Sequence, residues 1–326
     1  MPHLLRYVIP GIAALILTLL APPVRGQQID LSGLAFVDYF YTLSSPVEDD
    51  EDLHGFTYRR LFLTTDFTLS DEFFGRARIE GNEETLSGPG TLVFVKDLWL
   101  AWKYHDEHEA RIGIMPPPVY ELSEAVWGYR SLEKTILDLQ GINNSRDFGV
   151  RFHGPLGGDF RYAVMLGNGN GVRPEADPQK KAYAQVSLEP PTGFAFSVGV
   201  DRAGRPDPRD ASTRVSGFAG YRSDLYGVGV EVFWYQEKFD VGDDFHSTGA
   251  SLFGRYRIAS AWEIVGRLDL VSEESGDMDA DEMFAVVGAS YTPVRGVRLI
   301  PNLWVFDDSR LGDSEVLARM TFEIAF

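Results

Sequence analysis

Cysteine is absent from the 326 residues. Its absence excludes a disulfide framework, a thiolate metal site and a lipid-modified cysteine anchor. Long apolar runs are also missing: beyond the first 26 residues nothing approaches the ~20 consecutive apolar residues of a membrane-spanning helix, and mean hydropathy is only −0.13. Positive charge is short, with 30 Lys and Arg against 48 Asp and Glu and a net charge of −18. A nucleic-acid partner is excluded on that balance.

What is present begins with a leader. Arg6 precedes an apolar run from Ile9 to Ala21, then Pro22, Pro23, Val24, Arg25 and Gly26 before polar Gln27. The run is too short for a spanning helix and is weakened by Pro10 and Gly11, so residues 1–26 read as a cleaved secretory signal peptide. Removing them leaves residues 27–326 as one domain, and because Arg6 and Arg25 depart, the net charge becomes −20.

The chain ends on an aromatic, Phe326, after an alternating stretch whose second row is mostly polar. Val316, Ala318, Met320, Phe322 and Ile324 are apolar, while Glu315, Arg319, Thr321 and Glu323 are polar. Period 2 places successive side chains on opposite faces, so such a strand separates an apolar medium from water. The pattern recurs through sixteen segments, near residues 29–42, 57–69, 73–83, 92–103, 109–115, 147–153, 159–167, 181–188, 194–202, 213–222, 225–237, 247–258, 262–272, 282–292, 297–306 and 315–326. Short links follow the even segments and longer polar ones the odd. Antiparallel outer-membrane barrels have this asymmetry, and an even strand number returns both ends to the periplasmic side. Backbone groups inside hydrocarbon must all be paired, which strands achieve only by closure. The expected fold is therefore all-β, a transmembrane antiparallel barrel of sixteen strands. Aromatic groups such as Trp99, Trp102 and Tyr104, or Phe233, Trp234 and Tyr235, sit near segment ends and suit a headgroup boundary.

One interruption is long, Pro116 to Ser145, with a helical mixture from Ser123 to Leu137. Loops of that length in compact proteins are usually functional. A sixteen-strand lumen is too wide for side chains to fill, so the expectation is an inward-folded loop that narrows it, with Arg130, Glu133, Lys134 and Asp138 as its charged groups. The alternative is an outward-lying loop against a neighbouring subunit.

The blocks Val95-Lys96-Asp97-Leu98-Trp99-Leu100, Arg111-Ile112-Gly113-Ile114-Met115-Pro116, Glu133-Lys134, Ser145-Arg146-Asp147-Phe148-Gly149-Val150 and Gly167-Asn168-Gly169-Asn170-Gly171 resemble, in order and spacing, the phosphate-selective porin family of the O and P type. The resemblance covers residues 90–175, and Phe326 is similar to the assembly signal of outer-membrane proteins. It implies a sixteen-strand, usually trimeric channel whose anion path uses Arg and Lys rows. No matching lysine ladder aligns, as lysines are few and Lys180 and Lys181 sit together near a loop end.

Parity alone assigns Arg60, Arg76, Arg78, Lys103, Arg111, Arg151, Arg161, Arg214, Arg222, Arg255, Arg257, Arg267, Arg298 and Arg319 to the wet face, against Asp66, Glu80, Asp97, Asp147, Asp201, Glu231, Glu263, Asp269, Glu315 and Glu323. For constriction and lumen the expected residues are Arg130, Lys134, Glu133, Arg76, Arg78, Arg111, Arg151, Arg255 and Arg257. Surplus acid falls in expected outer loops: Glu48 to Asp52, Asp240 to Asp244, Glu273 to Asp281, and Asp307, Asp308 and Asp313. These read first as solvated surface and second as divalent-bridged contacts to lipopolysaccharide; none has the order of an EF-hand loop. A narrow site outweighs a screened mouth, so the expected preference is weakly anionic or none.

Catalytic motifs are missing. There is no Gly-x-Ser-x-Gly and no His-Glu-x-x-His, and His54, His105, His108, His153 and His246 form no triad in sequence. The expectation is an outer-membrane porin for small solutes or inorganic anions, with no reaction, cofactor or metal. Its expected partners are membrane lipid, lipopolysaccharide and two further copies in a homotrimer. The alternatives are a plugged barrel serving as adhesin or scaffold, and a barrel enzyme.

Overall fold

The computed structural model describes residues 28–82, 93–204, 209–276 and 278–326. The expected signal peptide and Asp277 lie outside the described residues. Sixteen strands run in chain order: β1 Gln28–Ser44, β2 His54–Thr68, β3 Phe73–Asn82, β4 Phe94–His105, β5 His108–Met115, β6 Asp147–Gly157, β7 Phe160–Gly167, β8 Lys181–Leu188, β9 Phe194–Gly204, β10 Arg209–Arg222, β11 Tyr226–Phe239, β12 Phe245–Ala259, β13 Trp262–Ser275, β14 Met278–Val294, β15 Val297–Asp308 and β16 Glu315–Ala325. Each pairs antiparallel with its sequence neighbours, and β1 closes on β16 through pairs such as Tyr39 with Met320. Closure leaves no edge, so every strand finds partners on both sides.

Alternation is visible as two unlike faces. On β11, Tyr226, Val228, Val230, Val232 and Trp234 are exposed, while Glu231, Phe233 and Tyr235 between them are buried. β9 repeats this, with Phe194, Phe196, Val198 and Val200 outward and Ala195, Ser197 and Asp201 buried. The exposed rows form an apolar belt far larger than a water-soluble monomer carries. The opposite row mixes charged and polar side chains with buried aromatic and aliphatic ones.

Between β5 and β6 the chain forms two short helices, α1 Glu121–Trp127 and α2 Ile136–Leu139. α1 ends on Gly128, whose φ of 68° is the left-handed conformation that closes a helix without a Cβ penalty. The segment packs on the row opposite the exposed apolar one. Val126, Trp127, Tyr129 and Leu132 cluster with Phe218, Phe253, Val265, Phe284, Val286 and Ile300. Val119, Tyr120, Ile136, Leu137 and Ile142 cluster with Trp99, Met115, Tyr183 and Phe233. Apolar residues on this face of a strand are thus covered by the segment.

Two departures from the expected layout matter. β13 runs to Ser275 and β14 starts at Met278, so Glu273, Glu274, Asp279 and Asp281 are strand residues, with Glu274 opposite Asp279, rather than members of a long outer loop. Asp307 and Asp308 likewise end β15. Extended ladders at this end replace loop, because pairing satisfies backbone groups that a loop leaves to water.

Candidate functional site

The site is built from strand irregularities. In the β1–β2 ladder Phe36 pairs with Arg60 and Val37 with Tyr58, which leaves Arg59 as an extra residue on β2. In the β3–β4 ladder Arg78 pairs with Asp97 and Ile79 with Val95, leaving Lys96 extra. A bulge breaks the period and re-aims a side chain. Arg59 and Arg60 therefore both reach the charged face, as do Lys96 and Asp97. A strict period-2 reading assigns only Arg60 and Asp97 there.

Buried carboxylates sit behind these cations. Arg59 pairs with Asp38 and donates to the Ser131 carbonyl of the long segment. Glu80, 0% exposed, lies 2.8 Å from both Arg60 and Lys96. Across from them the segment presents Arg130, held by Glu124 at 2.8 Å and Asp138 at 2.7 Å. Burial opposes charge on Arg130, yet Glu124 and Asp138 outweigh it and raise the guanidinium's pKa above its ordinary value. Asp138 mirrors this: burial pushes its carboxyl up, while Arg130 and Lys134 push it down further, so it stays below the usual range.

The two sides enclose a space of about 240 Å³ lined by Phe36, Arg59, Arg60, Asn82, Arg130, Glu133, Lys134 and Arg319. Five of those side chains are cationic and one is acidic. Among the described residues no carboxylate lies within 4 Å of the Lys134 or Arg319 cation. Arg319 instead stands 5.0 Å over the Trp304 ring. A larger chamber of about 590 Å³ adjoins it, sharing Arg60, Asn82, Arg130 and Lys134.

Sequence blocks that are far apart meet at this chamber. Lys96 donates to Ser145 Oγ at 2.9 Å, and Arg146 pairs with Asp97. Asp147, fully buried, accepts from the Gly169 amide at 2.9 and 3.0 Å and from the Tyr183 hydroxyl at 2.9 Å, which pins the Gly167–Gly171 turn. Gly167 is required there, because a Cβ would stand 2.2 Å from the Asp147 carboxylate. The glycine-rich string is thus a loop fastened to β6.

The remaining expected residues are placed elsewhere on the inner face. Arg151 grips Glu121 of α1 at 2.6 and 3.0 Å, so it anchors the segment. Arg76 pairs with Asp66 at 2.6 Å, Arg78 with Asp97 at 3.3 Å, and Arg111 with Glu109. Arg255 and Arg257 share Glu263, which also accepts from the Tyr129 hydroxyl at 2.5 Å. None of these six lines either space; only Arg130, Glu133 and Lys134 of the expected set do. Facing parity says which side a residue takes and nothing about its height along the barrel.

At the long-connection end, Arg310 gathers Glu273 at 3.0 Å, Asp308 at 2.8 Å and Glu282. Part of the acid there is therefore neutralised locally. Among the described residues no cluster of three or more His, Asp or Glu is arranged to hold a metal ion.

No protein-family model matches the chain, and no curated protein matches it in sequence. Solved structures do match. OmpF of Salmonella typhi in complex with daunomycin superposes with a TM-score of 0.71 at 11% identity, covering 92% of this chain and 98% of that one. The outer membrane channel DcaP of Acinetobacter baumannii gives 0.69 at 12% identity, covering 93% and 98%. The anion-selective porin of Comamonas acidovorans gives 0.66 at 14%, covering 92% and 100%. The fold is that of the outer-membrane porins.

Proposed function

We propose that this chain is an outer-membrane diffusion channel for small solutes, with a modest preference for anions. The long β5–β6 segment acts as the inward constriction, and the opening between it and β1–β3 and β16 is the selective passage. One observation carries the reading: five cationic side chains and one carboxylate line the 240 Å³ space, while Asp38 and Glu80, which balance Arg59 and Arg60, are buried behind them. A permeating ion meets N–H donors first. An anion regains there part of the hydration it sheds, whereas a cation does not. The carboxylates of Asp38, Glu80, Glu124 and Asp138 remain close, so the net excess of positive charge is small and the preference should be a few-fold rather than absolute.

Export through a cleaved leader, a place in a Gram-negative-type outer membrane beside lipopolysaccharide, and assembly as a homotrimer complete the proposal. The apolar belt and the recognised fold support them. Similarity to the phosphate-selective type supports anion passage without naming phosphate. No reaction, cofactor or metal is required, since the pathway works by width and fixed charge.

The test is a reversal potential in a potassium chloride gradient across a planar bilayer holding the purified protein. Chloride preference is expected; strong potassium selectivity would remove the proposal, and zero conductance would favour a plugged barrel. A second expectation concerns acid. Partial desolvation raises the Glu121 carboxyl, which stays half exposed, but Arg151 lowers it further, so its pKa, like that of Asp138, lies below normal. A carboxylate with a depressed folded pKa contributes its stability above the unfolded value of about 4 and loses it as pH falls through the folded value. Loss of these two anchors should therefore add loop noise only below about pH 4. Noise that grows between neutrality and pH 5 would show that other groups hold the segment.

A further inference from the structure

The chamber beside the constriction differs from it in chemistry. Where the smaller space presents guanidinium groups, the chamber adds carboxamides: Asn144, Asn168 and Asn170 line it together with Lys134 and Arg173. Each carboxamide carries two donors and an acceptor, the set that matches neighbouring hydroxyl groups on a sugar. Their capacity is only partly used. Asn144 donates to the Gly169 carbonyl at 3.2 Å and Asn170 to Glu175 at 3.4 Å, so both keep their carbonyl oxygens. Among the described residues the Asn168 side chain has no hydrogen-bond partner, although it is half-buried at the chamber wall.

The cations are similarly open. Neither Lys134 nor Arg173 has a carboxylate within 4 Å among the described residues, and the two line the same space. Asn143 is different in kind, since it is buried and committed to Asp201 at 3.0 Å and to Lys181. It holds the wall. Volume agrees with a small solute, because about 590 Å³ falls within the range of roughly 300–1,000 Å³ in which proteins hold such ligands. Among the described residues aromatic surface is nearly absent, with Phe94 the one ring in the lining, so stacking does not explain recognition there.

We propose that this chamber is a binding site for a polyhydroxylated anion, a sugar carrying one phosphate or carboxylate, that waits there before passing the constriction. Lys134 and Arg173 take the charged group, and Asn168, Asn144 and Asn170 take the hydroxyls. The inference rests on the channel reading and deepens it from charge preference to solute class. A site of this kind turns free diffusion into saturable flux, because each bound solute occupies the pathway while it stays.

The experiment uses the full-length purified protein in planar bilayers, with ion current recorded while gluconate, the phosphate ester of glucose, glucose or inorganic phosphate is added to either side. The two sugar anions should interrupt the current at millimolar concentration, at least about fivefold more strongly than glucose or phosphate, as the loss of one or more hydrogen bonds predicts. Block by only one of the two assigns the charged group as carboxylate or phosphate and keeps the site. Asn168→Ala should weaken block by the sugar anions about fivefold and change block by inorganic phosphate less than about twofold. Phosphate blocking as well as its sugar ester, glucose blocking as well as gluconate, or no block by either sugar anion would each overturn the proposal. A chloride-preferring reversal potential in those same membranes would show the channel reading intact. Potassium selectivity would mark failure of the reading itself.

Discussion

Exchanging Lys134 and Arg319 for glutamate together is expected to turn a chloride-preferring channel into a potassium-preferring one. Both line the 240 Å³ space, and neither has a carboxylate within 4 Å among the described residues, so their charges are less fully neutralised than those of Arg59 and Arg60, which are directly paired. At an effective dielectric of 20, unit charges about 8 Å apart interact by about 2 kcal/mol, reduced by salt that screens over about 8 Å. Two reversals that each retain about 1 kcal/mol shift the permeability ratio more than tenfold, as 1.4 kcal/mol is one decade. Arg59 and Arg60 are worse choices. Reversing either leaves buried Asp38 or Glu80 facing another carboxylate, a loss of about 3–5 kcal/mol that confuses folding with selectivity. Arg310→Glu at the exposed mouth is the comparison, and it should move the ratio less than about twofold because solvent and salt screen it. Equal effects at the mouth and the constriction would place selectivity in the loops.

The barrel was legible because closure and alternation are local rules applied sixteen times. Each strand needed only its own apolar row, and the parity of short and long links fixed the order of pairing. The positions of individual charges were not equally legible. Arg59 and Lys96 sit beside residues of correct parity, and only the bulges that insert them turn both neighbours inward. A bulge depends on how two ladders accommodate twist, which a single strand does not announce. Arg151 was expected as a lumen charge; it is buried on the row opposite the exposed apolar one, and its guanidinium is paired with Glu121. That pairing depends on where the long segment settles.

Height was lost for a related reason. Arg76, Arg111, Arg255 and Arg257 lie near the short-connection ends of their strands, whereas the space proposed as the passage lies where the segment approaches β1–β3. The approach is dictated by the opposite wall. Phe218, Phe253, Val265, Phe284 and Ile300 occupy inward positions where an open aqueous channel would carry polar groups, and the segment covers them. In retrospect that run of inward apolar residues on β10–β15 was the available signal: it marks the wall the loop rests on, and so points to the facing wall as the open side.

The second large effect follows from that covered wall. Trp127 is 1% exposed, with its ring 5.5 Å from Phe253 and 5.8 Å from Tyr129, and its indole N–H donates to the Glu133 carbonyl at 3.0 Å. Arg267 lies 5.9 Å over the same ring and donates to the Lys134 carbonyl. Trp127 thus fixes the backbone that carries Glu133 and Lys134. Trp127→Ala removes about 3–5 kcal/mol of packing, a loss that falls on the segment because the barrel retains its sixteen closed ladders. Single-channel current is expected to rise and become noisy, with ion preference relaxing toward none, while the folded barrel persists as judged by circular dichroism. Trp234→Ala, on the exposed outer row of β11, should leave the current as it was. If Trp127→Ala conducts as quietly and as selectively as the parent, the segment does not set the passage. The fixed charges that matter would then lie on the strands alone.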